Sequence, residues 1–287
     1  MLILIPRQRG RPGGDDDMKI TFIGGGNMAV ALISGLYRQG FAAAAIQVVE
    51  PVAEARDALS DRFGVRCTSS VDAAALDSKV LVLAVKPQHM KEALAPLAGK
   101  LTAQLVVSIA AGMRLADISR WLGGHHHIVR TMPNTPALIG AGCTGLCADP
   151  GVNQDGRDNA ENLMRAVGST FWVHDEAQMD AVTAVSGSGP GYVFYFLEAM
   201  EKAALDLGFD AETARRISVE TFAGAAQLAA HSSESLATLR SRVTSKGGTT
   251  EAALLGFDAA GVAAGIERGI MAANTRGREL GDMLGKD

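Results

Sequence analysis

The sequence predicts an α/β domain built on a doubly wound parallel sheet, followed by an all-α domain at its C-terminal side. Three observations predict it. From Met18 onward, short apolar runs alternate with helical stretches. Two of those runs, VLVLAV (Val80–Val85) and LVVSIA (Leu105–Ala110), are apolar without a break, as expected of strands buried on both faces of a parallel sheet. Strand signals fade after Phe171–Val173, and the rest reads as helix.

The first strand is KITFIG, ending at Gly24. A helix follows over Asn27–Gln39, with Met28, Leu32, Gly35 and Leu36 on one face and Gly40 where it should stop. Ile46–Glu50 is the next strand, and Val52–Phe63 the next helix, closed by Gly64. His127–Met132 reads as a further strand after Leu105–Ala110, and Cys143–Cys147 lies in strand-like sequence. The helices expected beyond are Asp175–Ala184, Pro190–Leu207, Ala211–His231, Ser235–Arg242 and Ala259–Leu284. Several carry small or apolar residues on more than one face, so a helical dimer interface is expected to cover them. The domain boundaries are therefore set at 18–175 and 176–287. Residues 1–17 have short basic, glycine and aspartate runs and are expected to be a disordered, dispensable extension, with Met18 as the start.

Composition narrows the function. The chain has 287 residues, 47% of them hydrophobic, enough for two ordinary domains. A net charge of −4 gives no electrostatic case for nucleic acid or an anionic membrane. No apolar run approaches the ~20 residues of a membrane helix. Three cysteines, an odd and sparse count, fit a reducing cytoplasm. Cys143 and Cys147 have no second pair, which speaks against zinc. His125, His126 and His127 are adjacent in extended chain, do not converge, and read as a surface loop, so no metal is expected.

Gly24-Gly25-Gly26-Asn27-Met28-Ala29 gives G-x-G-x-x-A between a strand and a helix. Gly24 allows the tight turn, Gly26 lets a pyrophosphate approach the backbone, and Ala29 allows close helix–strand contact, with the helix start supplying N–H groups. That is the Rossmann-type arrangement for a dinucleotide. Glu50 ends the second strand. It either accepts bonds from a ribose 2′-OH, favouring NAD, or is a solvated acid; a 2′-phosphate would need a cation such as Arg56 beside it. Ala84-Val85-Lys86-Pro87 leaves a strand end facing the ligand crevice, and Lys86 either holds a phosphate or is solvated. Ser108-Ile109-Ala110-Ala111-Gly112 suits a flat nicotinamide ring or plain close packing. In Met132-Pro133-Asn134-Thr135-Pro136, Asn134 either bonds the carboxamide or substrate or caps the turn.

Two late stretches are rich in hydroxyls and glycine. Ser186-Gly187-Ser188-Gly189-Pro190-Gly191 is an anion site or a hinge before a helix that suits Pro190 in its first turn. Arg242–Thr250, RVTSKGGTT, is an anion nest or a linker. It is not a phosphate-binding Walker loop, because Lys246 precedes the glycines and helices flank it.

Together these stretches resemble pyrroline-5-carboxylate reductase. The matching segments are FIGGGNMA (22–29), LAVKPQ (83–88), SIAAG (108–112), MPNTPA (132–137), DAVTAVSGSGPGYVF (180–194) and VTSKGGTT (243–250), in the family's order from Met18 to about Leu280. The resemblance implies an NADPH or NADH site at Ile23, Gly24, Gly25, Gly26, Asn27, Met28, Ala84, Val85, Lys86, Pro87, Ile109, Ala110 and Ala111, to which the reading of the residues themselves adds Glu50 and Asn134. It implies 1-pyrroline-5-carboxylate as substrate, its carboxylate held by Thr244, Ser245, Gly247, Gly248 and Thr249 near Ser186 and Ser188, with Thr250 beside the ring nitrogen. It also implies a domain-intertwined homodimer, with further assembly into a decamer, whose 243–250 loop serves the partner subunit. This sequence departs from the family at five places. Lys246 replaces a proline, Gly191 an alanine, and Ser241-Arg242 the usual acidic or amide pair. Val71 stands for an adenosine-side asparagine, and Glu50 for the serine of some members. The alternatives are another two-domain reductase of the β-hydroxyacid dehydrogenase kind and a dinucleotide-binding regulator. The first uses an inter-domain lysine, and this chain has none between 101 and 201. The second would not need the hydroxyl loop.

Overall fold

The structure is a computed structural model that describes residues 18–286. The expectation for residues 1–17 lies outside the described residues. The chain divides into two compact units, one formed by the chain up to Val182 together with residues 278–286, the other by Thr183–Gly277.

The first unit holds a sheet of eight strands: β1 (Ile20–Ile23), β2 (Ile46–Val49), β3 (Arg66–Thr68), β4 (Val80–Leu83), β5 (Leu105–Ser108), β6 (Ile128–Met132), β7 (Gly142–Ala148) and β8 (Gly168–Trp172). Their order is β3-β2-β1-β4-β5-β6-β7-β8. All neighbours are parallel except β6 and β7. Strand order reverses between β1 and β4, which pair directly, Ile23 opposite Leu83. In sheets of this kind ligands bind outside the strand carboxyl ends at that reversal.

Helices of this unit are α1 (Asn27–Arg38), α2 (Ala53–Phe63), α3 (Ala73–Leu76), α4 (Met90–Leu94), α5 (Leu115–Trp121), α6 (Gln154–Arg165) and α7 (Gln178–Val182). They give the sheet two cores. Phe22, Val82, Val107 and Val129 enter one core, with Leu32, Ile33 and Leu163 from helices. Ile23, Leu81, Val106 and Ile128 enter the other, with Ile118, Met179 and Val182. Adjacent residues of one strand thus serve opposite faces, which is why the strand sequences show no polar alternation. Each such side chain contributes about 1.5–3 kcal/mol by leaving water.

The β1–α1–β2–α2 boundaries agree with the sequence to within a residue or two. Gly64 closes α2 at φ 65°, donating to the Ser60 carbonyl at 2.7 Å. The division between units falls at Val182/Thr183 rather than at 175/176, because α7 buries Met179 and Val182 in the α/β core. Residues 278–286 also belong to this unit. Arg114 pairs with Asp282 at 2.5 Å, Arg120 donates to the Gly285 carbonyl at 2.7 Å, and Leu284 packs on the second core.

The second unit is helical: α8 (Gly189–Asp206), α9 (Ala211–Ala230), α10 (Leu236–Arg242), α11 (Thr249–Ala259) and the greater part of α12 (Val262–Leu284). Asp210 and Ser235 cap α9 and α10 through their side chains, on Thr213 N–H and Thr238 N–H. Phe196 and Phe222 join α8 to α9 with ring centroids 5.8 Å apart. Little else is buried: Ala184, Ala204, Ala214 and Ser218 are. Large apolar side chains stand in the open, among them Phe194 at 60%, Tyr195 at 78%, Leu228 at 61% and Leu255 at 64% exposure. Helices that expose this much apolar surface are built to be covered.

Candidate active site

The Gly24–Ala29 turn lies at the sheet's reversal point. Gly24 has φ 101°, in the left-handed region, and its N–H bonds the Val49 carbonyl at 2.8 Å. A β-carbon there would lie 2.8 Å from the Ala84 carbonyl oxygen, so the β1 and β4 loops touch at this glycine. A β-carbon on Gly25 would meet Leu59 at 2.6 Å, whereas one on Gly26 would meet nothing within 4 Å. The open side therefore lies at Gly26, which is the N-cap of α1. No side chain caps this helix, and its first turn carries no acid. A bare backbone at an uncapped helix start fits a pyrophosphate.

Glu50 bounds this turn. Its Oε2 accepts the Gly25 N–H at 2.9 Å and its Oε1 accepts the Val52 N–H at 3.0 Å. Arg56 Nη1 donates to the carbonyls of Glu50 and Pro51, each at 2.8 Å. Glu50 is thus no freely solvated acid. The nearby Cys67 thiol is pushed up from its ordinary value by burial, opposed by the Arg56 guanidinium. Val71 packs against the second core.

Ala84–Pro87 follows β4 with Lys86 exposed, and Ile109–Ala111 follows β5 with Ala110 buried and Ala111 exposed. Ser108 is fully buried and its carbonyl accepts the Thr131 hydroxyl at 2.9 Å, which fixes the end of β5 to β6. Asn134 has a structural duty: its Oδ1 accepts the Cys143 N–H at 2.9 Å, tying the turn after β6 to β7. Asn134 stands at the N-cap of the 3-10 turn Thr135–Ile139 without a side-chain capping bond to it, so this bond to the strand is neither of the two roles read from the sequence.

One charged group went unmarked in the sequence. Arg130, in the run HIVRTM, is 3% exposed and pairs with Glu176 at 3.0 Å and Asp180 at 3.5 Å. Glu176 also accepts the Leu115 N–H at 2.8 Å. The arginine fastens β6 to α7 and to the start of α5. Burial also pushes the Cys147 thiol, opposite Arg130 in the ladder, up from its ordinary value.

In the helical unit, Ser186–Gly191 is not an open turn. Thr183–Gly187 forms a π-helical turn in which Ser188 N–H bonds the Thr183 carbonyl at 2.8 Å, and α8 begins at Gly189 with Pro190 in its first turn. Residues 183–191 are helical almost throughout, which leaves fewer free N–H groups for an anion here. The Ser188 N–H is occupied in this way, while its hydroxyl caps nothing.

The other stretch is half loop and half helix. Thr244 turns its hydroxyl onto the Arg240 carbonyl at 2.7 Å. Gly247, at φ 74°, donates its N–H to Glu251 Oε2 at 2.7 Å, and the Gly248 N–H bonds the Ser245 carbonyl at 3.0 Å. Gly248 is the N-cap of α11, a helix the sequence did not suggest, and Thr249 and Thr250 are its first residues. The first intrahelical bond is made by the Ala252 N–H, to the Gly248 carbonyl at 3.1 Å. The N–H groups of Thr249, Thr250 and Glu251 therefore have no partner within the helix. Among the described residues the Thr250 hydroxyl has no hydrogen-bond partner. The donors available to a small anion are thus those of the helix start rather than Gly247 and Gly248.

Among the described residues, no three His, Cys, Asp or Glu side chains come together as a metal site would require, and no helix is long and apolar enough to cross a membrane.

Comparison with known proteins gives the same two halves. The family profile described as NADP oxidoreductase, coenzyme F420-dependent, matches residues 19–112, and that described as pyrroline-5-carboxylate reductase dimerisation matches residues 176–280. The chain is 47% identical to the pyrroline-5-carboxylate reductase of Pseudomonas aeruginosa over 93% of its own length and 98% of the relative's. It is 44% identical to that of Haemophilus influenzae over 91% and 97%. Among solved structures it is similar to a pyrroline-5-carboxylate reductase of Coxiella burnetii (TM-score 0.86, 40% identity, 92% and 98% of the two chains). It is also similar to the Plasmodium falciparum pyrroline carboxylate reductase with NADP bound (TM-score 0.84, 25% identity, 93% and 100%).

Proposed function

The chain belongs to the pyrroline-5-carboxylate reductase family, and from that premise we propose that it reduces the cyclic imine 1-pyrroline-5-carboxylate to L-proline, the last step of proline biosynthesis, in the cytoplasm. One observation carries the reading. The same chain has a bare glycine turn at a sheet reversal and a separate uncapped helix start bearing hydroxyls. The first suits a dinucleotide and the second a small carboxylate.

When bound, NAD(P)H supplies hydride to the carbon of the C=N bond. The chain's own residues bind and align. The N–H groups of Gly26, Asn27 and Met28 at the open start of α1 receive the pyrophosphate, those of Gly24 and Gly25 being held by Val49 and Glu50, while Ala84–Pro87 and Ile109–Ala111 flank the cofactor at the neighbouring strand ends. Around the substrate, the N–H groups of Thr249, Thr250 and Glu251 and the hydroxyl of Ser245 hold the carboxylate, with Ser186 and Ser188 nearby. Thr250 directs its hydroxyl to the ring nitrogen. An iminium accepts hydride far better than a neutral imine, and an imine is basic enough to take its proton from water or from a neutral hydroxyl. No buried histidine or carboxylic acid is then required. Alignment of donor and acceptor supplies the acceleration.

The exposed apolar side chains of α8, α9 and α11 support a homodimer. In the finer reading that dimer is intertwined, its 243–250 loop completes the partner's site, and dimers assemble into a decamer. Placing glutamate at Tyr195 and Leu228 together is expected to convert the oligomer to monomers in sedimentation analysis, because burying two unpaired carboxylates is strongly unfavourable. The test of the activity is oxidation of NADH and of NADPH in the presence of 1-pyrroline-5-carboxylate. Turnover with at least one cofactor is expected, and its absence with both overturns the reading.

A further inference from the structure

We propose that Glu50 makes this enzyme selective for NADH over NADPH. The inference rests on the reading of Gly24–Met28 as the dinucleotide site and concerns the adenosine end of that site. Three observations carry it.

The carboxylate is fixed. Each of its oxygens accepts one backbone N–H, from Gly25 at 2.9 Å and from Val52 at 3.0 Å. A carboxylate oxygen has two lone-pair positions, so each keeps one with which to accept a ribose hydroxyl. The charge is also held against the glycine turn itself and cannot swing away from a 2′-phosphate without leaving both N–H groups unpaired.

The cation that would compensate is tied down. Arg56 Nη1 is shared between the carbonyls of Glu50 and Pro51, at 2.8 Å each. Turning the guanidinium toward a phosphate forfeits both bonds. Arg66, on β3, is paired with Asp72 at 2.7 Å and bonded to Gln47 at 3.0 Å.

The helix start that could receive a phosphate already has an acid. The α2 helix begins at Ala53, immediately beyond Glu50 and Pro51, and carries Glu54 in its first turn. The positive end of that helix is therefore met by a carboxylate of the chain. The contrast with α1 is instructive: its first turn has no acid and faces the pyrophosphate. Of these two helix starts, only that of α2 carries an acid in its first turn.

The test is equilibrium binding, read by nicotinamide fluorescence without substrate, for the wild-type enzyme, Glu50→Gln and Glu50→Ser. Glutamine keeps an oxygen for the Gly25 N–H, so it separates loss of charge from loss of the brace. The wild-type Kd for NADH is expected to lie at least about tenfold below that for NADPH, a like-charge contact being worth that much or more. Both variants should bring the two constants to within about threefold, chiefly by tightening NADPH. Arg56→Ala should move both constants alike. Equal or tighter wild-type binding of NADPH overturns the proposal, as does a ratio unchanged in Glu50→Gln. Failure of both cofactors to bind any form overturns the dinucleotide reading, and the proposal with it.

Discussion

Thr250→Ala is expected to lower kcat with 1-pyrroline-5-carboxylate by about 10- to 100-fold, the value of one hydrogen bond to a group that becomes charged. The reason lies in where the residue sits. It is the second residue of α11, and its hydroxyl has no partner among the described residues; in the proposed site its backbone N–H meets the carboxylate and its hydroxyl the ring nitrogen. Its removal therefore takes away a contact to the reacting ring without breaking one inside the protein. Thr250→Ser should recover most of the rate, and far-ultraviolet circular dichroism should be unchanged in both. Steady-state kinetics at saturating cofactor decide it: if kcat and KM are both unaltered by the alanine, Thr250 does not touch the substrate.

The second large effect is on stability. Arg130→Ala is expected to destabilise the fold by about 3 kcal/mol, the lower part of the range for breaking a buried ion pair by removing one partner. The lower part is chosen because the Glu176 side chain is 30% exposed and stays partly solvated, while Asp180, at 12%, does not. Urea unfolding at fixed protomer concentration is the measurement, since dissociation of the oligomer would otherwise enter the midpoint. Arg130→Met combined with Asp180→Asn should be less harmful than Arg130→Ala, because it leaves no lone buried charge at that position. If the single alanine is as stable as the wild type, the arginine is not the fastening of α7 to the sheet.

The parts of the fold legible in the sequence are those whose signal is local. Strands β1, β4 and β5 are short apolar runs that no other packing explains, and the glycine turn follows from backbone sterics at Gly24 alone. What escaped is of three kinds. The β3 strand, Arg66–Thr68, is a short edge strand with no buried residue, so it leaves no apolar run. The α6 helix has only Gly156, Ala160, Leu163 and Met164 on its buried face, though Asn153, which caps it through the Gly156 N–H, was a usable sign. The α11 helix was hidden because its first residues were read as loop, and the helix expected from Ala259 in fact begins at Val262 after Gly261 at φ 67°.

The site was legible as chemistry rather than as geometry. The residue types at 244–250 left an anion nest and a linker open, and the sequence could not show that the Gly247 N–H is taken by Glu251 four residues on. Nor could it show that Ser186 and Gly187 lie in a π-helical turn, since that depends on hydrogen bonds five residues apart. Glu50 is the clearest case. Its place at a strand end was visible, and its two backbone partners, one of them on another loop, were not.

The return of residues 278–286 to the α/β unit bears on how the protein is made. Its dinucleotide-binding half is not one continuous stretch, because Asp282, Leu284 and Gly285 complete the surface of α5 and the second core. During synthesis that half emerges first and folds without its last piece, which follows only after the whole helical unit has left the ribosome. Contacts of such long sequence separation form late. The enzyme thus finishes its cofactor-binding half only once its subunit-pairing half exists, and a nascent chain stalled inside the helices carries that half incomplete.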